Sequence, residues 1–385
     1  MDSGLTVTTK HEVAARFQRI RQAMEHEGVE ALVVSGSEYT GFDGAVRYVS
    51  GFQIVHRYAS VLLPLEGEPT IVFPSEARYV GEHAATWIEE GVFTEHPGEW
   101  LARRAVERGW KRVGIYGLDY VTTVRDYRAL AAGEYELVPF DLQFDLARAV
   151  KGKSEIEAVR RSMAINVEGF WSLLESYRPG LTEAAIMAPS AARFVELGTG
   201  RHAMNMVLSG QGGSAGPEFK IPSETRRVQP DDLLLYSLEV AGPEGYWVEF
   251  SRPLIAGKPS DTTRRMLEAY EEYGELALET MREGATAEEL HRAVSEPFHR
   301  RGFKLGHVTG HAIGMTMIEN PRVREGVQVT LKENMVLSMH PHAISEDGRS
   351  CLYMQDTYRV GSTAGERLAE LPLRLFDGSE NRGPA

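Results

Sequence analysis

The chain has 385 residues, 42% of them apolar and 25% charged, with a net charge of −13 and a single cysteine, Cys351. This is the balance of a globular protein with more than one core, and its acidic surplus disfavours a nucleic-acid partner. One thiol excludes an internal disulfide framework, no apolar run approaches the ~18 residues of a membrane span, and the opening "MDSGLTVTTKHEVAARF" has no leader-like stretch, so the expected location is cytoplasmic.

Apolar positions at helical spacing predict a helix over 11–27, ending at Gly28, then a strand over "EALVVSG". "RYASVLLPL" and "PTIVF" predict strands joined by the turn "EGEP"; "WLARRAVERG" predicts a helix and "KRVGIYG" a buried strand. This alternation continues to about residue 150 and implies an α/β domain. Beyond it, "SEIEAVRRSMAI" predicts a helix starting at Ser154. "GLTEAAIMAPSAARFVELG" and "SDTTRRMLEAYEEYGELALETMREG" predict two more, the latter capped by Ser260 or Asp261. Strands are expected at "DLLLYSLEVAG", "GYWVEFSRPLIAG", "NMVLSMHPHAI" and "SCLYMQDTYRVG", giving an α+β second domain, and the tail "DGSENRGPA" is expected to fray.

Four pieces of this second half hold most of the chemistry: 237–253, 306–311, 338–343 and 351–359. Side chains two apart on a strand share a face. Ser237 therefore pairs with Glu239, Glu249 with Ser251, and Cys351 with Tyr353 and Gln355. Two carboxylates, several imidazoles and a carboxamide could thus converge on one cavity.

The order of these pieces resembles the creatinase/prolidase/aminopeptidase P family, the pita-bread or M24-like hydrolases. "VRYVSGF" and "AVKGKSEIEAVRRSMAI" carry the likeness in the first half and at the junction; "GYWVEFSRP", "GHVTGHAIGM", "NMVLSMHP" and "YMQDTYRV" carry it in the second. The resemblance implies an α/β N-terminal domain over 1–150 and an α+β pita-bread catalytic domain over 151–385. Metallopeptidases of the family hold two divalent ions with two Asp, one His and two Glu. Here the first Asp place falls at Ser237 or Leu238, with Glu239 just beyond, and the second is Glu249. The His is kept as His311, while the two Glu places are His340 and Gln355. Further histidines of the peptidases fall at Ile318 and near Pro217 or Glu218. Two divalent ions bring four positive charges against at most two carboxylates, which disfavours a dinuclear centre. A single Zn²⁺ or Fe²⁺ on His311, His340 and one or both glutamates is chemically reasonable. The favoured expectation is a site without metal or other cofactor, the condition of creatinase within the family.

The catalytic candidates are His340, Glu249, His311 and Glu239. Burial of Glu249 among "YWVEFS" requires a partner, whereas Glu239, beside the loop "AGPEG", could simply be solvated. His311 and His340 have packing alternatives, and His340 in place of a carboxylate suits acid–base work. The substrate-binding candidates are Arg252, Gln355, His307, Tyr353, Arg57 and His56. Arg252 could instead be a structural clamp and Arg57 an exposed cation. His307, His342 and His202 stand equally for catalytic positions and for surface or supporting ones, and Cys351 would be a nucleophile only with a lowered pKa. The resulting expectation is a metal-independent hydrolase of a C–N bond in a small polar substrate. Its alternatives are a lyase, since the loop in "SLEVAGPEGYWVEFSR" is similar in length to that of the family's dimethylsulfoniopropionate lyases, and a non-catalytic peptide-binding domain. The resemblance also implies a homodimer in which His56 and Arg57 reach the partner subunit's site. Neither a nucleic-acid nor a membrane partner is expected.

Overall fold

A computed structural model describes residues 8–81, 85–199, 201–203, 207–378 and 380. The chain divides into two compact units, Met1–Ala149 with Met315–Met317, and Val150–Gly314 with Ile318–Ala385.

In the first unit the opening helix is Lys10–His26. Thr9 Oγ1 accepts from the Glu12 amide and the Glu12 carboxylate accepts from the Thr9 amide, a reciprocal cap that satisfies two orphan donors. Gly28, at φ +66°, turns the chain into the sheet. Six strands follow: β1 (Ala31–Ser37), β2 (Tyr58–Pro64), β3 (Thr70–Pro74), β4 (Glu90–Thr94), β5 (Arg112–Tyr116) and β6 (Glu136–Pro139). They lie in the order β4-β3-β2-β1-β5-β6. The β1–β2 and β2–β3 pairs are antiparallel, the others parallel. Ala31, Val33, Leu62, Val72, Val113 and Ile115 on the sheet pack against Leu101, Ala105 and Leu130. That packing requires apolar residues at period two on the strands and helical spacing on Pro97–Glu107.

The second unit opens on the helix Lys153–Ser176. Its cap is Gly152, whose amide donates to Glu155 Oε2 at 2.7 Å, so Ser154 lies inside the first turn rather than before it. Along this helix, Gly169 lets Glu183–Glu196 approach closely: a Cβ there would fall 2.1 Å from a ring carbon of Phe194. The inward face also anchors the strands of the site. Asn166 Nδ2 donates to the Leu238 carbonyl at 2.8 Å, and Ser162 Oγ to that of Tyr246 at 2.8 Å. Asp261–Thr280, capped by Ser260, packs against Ala287–His299, a helix that the sequence reading passed over. The tail is ordered further than expected. Phe376–Asp377 pairs with Leu254–Ile255, and Arg374 bonds Glu380; of the predicted fray, 379 and 381–385 lie outside the described residues. No helix among the described residues is long and apolar enough to cross a membrane.

Candidate active site

The four strands expected in the second half are not continuous. Each is broken at or beside a site residue, and its halves join different sheets. Leu233–Tyr236 and Leu238–Ala241 part at Ser237, and Trp247–Phe250 and Leu254–Ile255 part at 251–253. Val336–Met339 and His342–Ile344 part at His340, and Cys351–Tyr353 and Asp356–Arg359 part at Gln355. Ser237, His340 and Gln355 therefore sit where strands change sheets. There the period-two rule fails for one expected trio: Cys351 Sγ turns to the Gly216 carbonyl, while Gln355 turns to the carboxylates.

Glu239 and Glu249 stand directly opposite in an antiparallel pair, both buried. Two facing anions would repel, and the hydrogen bonds show how the fold avoids this. Gln355 Nε2 donates to Glu249 Oε2 at 3.0 Å and to Glu239 Oε1 at 3.3 Å. Turning that amide over would aim its oxygen at both carboxylates, so Glu249 fixes its orientation. Ser237 Oγ then lies 2.6 Å from Gln355 Oε1 and 2.5 Å from Glu239 Oε1. A hydroxyl has one proton to give. Ser237 gives it to Gln355, and the short contact to Glu239 is favourable when Glu239 is protonated and donates to Ser237. Burial first, then the charge of Glu249, pushes Glu239 up to about 8. Burial acts on Glu249 in the same sense, but His311 and the Ser338 hydroxyl, which donates at 2.5 Å, reverse it and hold Glu249 below the ordinary carboxylate range. The surroundings thus push the two carboxyls apart, Glu239 upward and Glu249 downward.

His311 sits on Gly310–Ala312, opposite Ser338. Its Nδ1 is 2.9 Å from the Ala312 carbonyl, an acceptor, so Nδ1 carries a proton. Its Nε2 is 3.4 Å from Glu249 Oε1. Two lone pairs facing at that distance require a positive charge between them, either a proton on Nε2 or a bound cation. His340 is buried with Nδ1 unpartnered, and burial lowers its pKa to about 3, which makes it a neutral imidazole at physiological pH. Rings run outward from it: His307 lies 5.0 Å away and exposed, His342 is 5.6 Å beyond, and Tyr353 and Phe219 close the side.

The dinuclear centre of the metallopeptidases does not fit these residues. Of its four carboxylate places only Glu249 keeps a carboxylate; Ser237 or Leu238, His340 and Gln355 stand at the others, and the Gln355 amide aims its hydrogens at both Glu239 and Glu249.

Other candidates fall elsewhere. Arg252 cannot serve as a substrate anchor. Its guanidinium donates to Asp356 Oδ2 at 2.7 Å and to the carbonyls of Ser251, Leu371, Pro372 and Gln355, with no exposed face, so the carboxylate that it clamps is Asp356. Burial pushes the Cys351 thiol up to about 12, the opposite of nucleophile activation. His56 and Arg57 belong to the first unit. There His56 bonds the Tyr79 hydroxyl and stacks edge-on with Tyr39, while Arg57 lies 3.7 Å from Glu76. The His202 side chain lies outside the described residues. Two residues escaped the sequence reading: Ser338, and Thr357, whose hydroxyl accepts from the Glu249 amide at 2.9 Å. Ser338 stands two before His340 in "VLSMH", so strand alternation could have found it.

Fold and site together define a two-domain pita-bread hydrolase. Residues 157–362 match metallopeptidase family M24 and residues 16–150 the creatinase/prolidase N-terminal domain. The chain belongs to family M24. It is 27% identical over 391 residues to an agropine synthesis cyclase of Rhizobium rhizogenes, covering 93% of this chain and 96% of that one. To a probable dipeptidase PepE of Mycobacterium tuberculosis it is 24% identical over 343 residues, covering 85% and 87%. Among solved structures, a prolidase from Thermococcus sibiricus superposes with a TM-score of 0.80 at 22% identity, covering 96% of this chain and 100% of that one. A prolidase from Pyrococcus horikoshii gives 0.79 at 19%, covering 94% and 99%. At such identities the structural likeness establishes the fold.

Proposed function

We propose that the chain hydrolyses a C–N bond in a small polar, carboxylate-bearing substrate without the dinuclear centre of its peptidase relatives. The observation that carries this reading is the pair of buried, facing glutamates in unequal surroundings, Glu249 beside His311 and Ser338 and Glu239 beside Ser237, with Gln355 bridging them. Groups whose surroundings push them apart in this way divide the acid and base roles. The trio of Glu249, His311 and His340 activates the attacking water, and Glu239 supplies the proton that the departing nitrogen needs. Ser338 and Gln355 hold Oε2 of Glu249, leaving Oε1 toward His311. The relative named a cyclase supports a non-peptide substrate, since that name describes ring formation rather than peptide cleavage.

The test is a product assay by NMR on guanidino, amidino and cyclic-amidine acids beside X-Pro dipeptides. Hydrolysis of the former is expected, with turnover falling ~100-fold or more in Glu239→Gln. Dipeptide cleavage dependent on two equivalents of metal would overturn the reading, and an unsaturated acid product would replace it with the lyase.

The same reading includes a homodimer in the cytoplasm, with Arg57 of one copy holding the substrate carboxylate at the other's site. In support, Arg57 adopts φ +72°, uncommon outside glycine. Its Nε has no hydrogen-bond partner, and Tyr39 and Tyr79 are exposed nearby. Light scattering reads the oligomeric state. Mixing Arg57→Ala chains with Glu249→Gln chains, each inactive alone, restores activity only where sites are shared.

A further inference from the structure

We infer that Glu249, His311 and His340 form a binding site for one divalent cation of the Zn²⁺, Co²⁺ or Fe²⁺ class. The inference deepens the proposed function, naming how that trio activates water, and its catalytic meaning rests on that reading.

One ligand atom from each of the three residues lies within 4.8 Å of the other two. Around a tetrahedral ion with bonds of roughly 2.0–2.1 Å, neighbouring ligand atoms stand about 3.3–3.4 Å apart. The separation of His311 Nε2 from Glu249 Oε1 is 3.4 Å. His311 already has the second partner that metal-bound imidazoles require, because its Nδ1–H is committed to the Ala312 carbonyl and its Nε2 lone pair therefore faces inward. Oε2 of Glu249 is taken by Ser338 and Gln355, so Oε1 is the atom turned toward the imidazole. Independently, Nδ1 of buried His340 has no hydrogen-bond partner. A buried polar atom without a partner is costly, and an ion among the three groups lets His340 serve as a ligand.

The donor set also selects the ion. Two imidazoles and one carboxylate suit borderline cations, whereas Mn²⁺ and Mg²⁺ prefer oxygen-rich surroundings. A second ion lacks ligands, because Ser237 or Leu238, His340 and Gln355 stand at three carboxylate places of the two-ion centre, and the Gln355 amide aims its hydrogens at both glutamates. The site is thus distinct in donors and stoichiometry from the two-ion centre of the peptidases.

The test uses full-length protein stripped by chelator and titrated calorimetrically with Zn²⁺, Co²⁺ and Mn²⁺, with Co²⁺ absorption as the second readout. One equivalent of Zn²⁺ or Co²⁺ is expected, bound at least ~100-fold more tightly than Mn²⁺, with a tetrahedral Co²⁺ spectrum. His340→Ala and the isosteric Glu249→Gln should each weaken binding by ~100-fold or more, beyond what loss of a supporting residue costs. His307→Gln should keep one equivalent. Circular dichroism identifies any variant that fails to fold, and the isosteric variant guards against that outcome. Zero or two equivalents, or binding indifferent to both ligand variants, overturns the site. Turnover that persists in chelator overturns the ion and leaves the proposed hydrolase standing. One bound equivalent with no C–N hydrolysis does the reverse.

Discussion

Replacing Glu239 by glutamine tests the proton that the hydrogen bonds place there. The change is isosteric, and the new amide can still donate to Ser237, giving up only the 3.3 Å contact from the Gln355 amide. In the wild type, burial and the charge of Glu249 raise the Glu239 pKa to about 8, against roughly 4.3 in an unfolded chain. The folded state thus holds a proton that the unfolded state has released. Its stabilising contribution is complete below the unfolded value and is lost as pH rises through the folded one. The limiting slope for one proton is ~1.4 kcal/mol per pH unit. Between roughly pH 5.5 and 7.5, metal-free wild type should lose about 2 kcal/mol more stability than Glu239→Gln. Glu249 does not confuse the comparison, because its lowered pKa, about 2, confines its own loss of stability to acid pH. Asp141 and Asp356, each raised by burial to about 6, titrate in the same window and cancel in the difference between the two proteins. Urea unfolding in chelator across that range is the assay. Parallel curves would refute the reasoning, since Glu239 would then be ionised and the direction of the Ser237 hydrogen bond wrong.

Other perturbations probe the rest of the network. Gln355→Glu brings a third carboxyl between the two glutamates and should lower the melting temperature in chelator, with divalent ions restoring more of it than they add to wild type; equal shifts would contradict the role given to the amide. Arg252→Ala leaves Asp356 buried and unpaired at a cost of ~3–5 kcal/mol, and Arg252→Met with Asp356→Leu should recover much of it. A stable Arg252→Ala protein that fails only in substrate binding would return Arg252 to the substrate. Gly169→Ala sets a methyl carbon against the Phe194 ring and should cost ~1–3 kcal/mol in thermal or urea unfolding; an unchanged midpoint would show that the two helices separate freely.

The helices and strands named from the sequence are legible there because their signals are local. Thr9 with Glu12, Ser260 ahead of its helix, and apolar spacing on 97–107 each act within a turn or two. The changes of sheet at Ser237, His340 and Gln355 are not legible, because the apolar pattern runs through each break and only the choice of pairing partner distinguishes the halves. The same limit hides Arg252's partner: Asp356 is 104 residues away. Glu239, Glu249, His311, His340 and Gln355 can be singled out from the sequence as a converging group, but the division of charge between Glu239 and Glu249 cannot. It depends on which way one amide and one hydroxyl point.

The Gln355 amide has a consequence for how the protein is made. Where neighbouring carboxylates depend on cations to keep them together, a newly synthesised chain finishes folding only when metal is supplied. Here two N–H bonds and one retained proton already reconcile Glu239 with Glu249. Assembly of the strands is thereby separated from loading. If the ion inferred above is what activates water, a chain emerging in a metal-starved cell would reach its native shape first, and scarcity would govern the number of working molecules without adding to the load on chaperones and proteases.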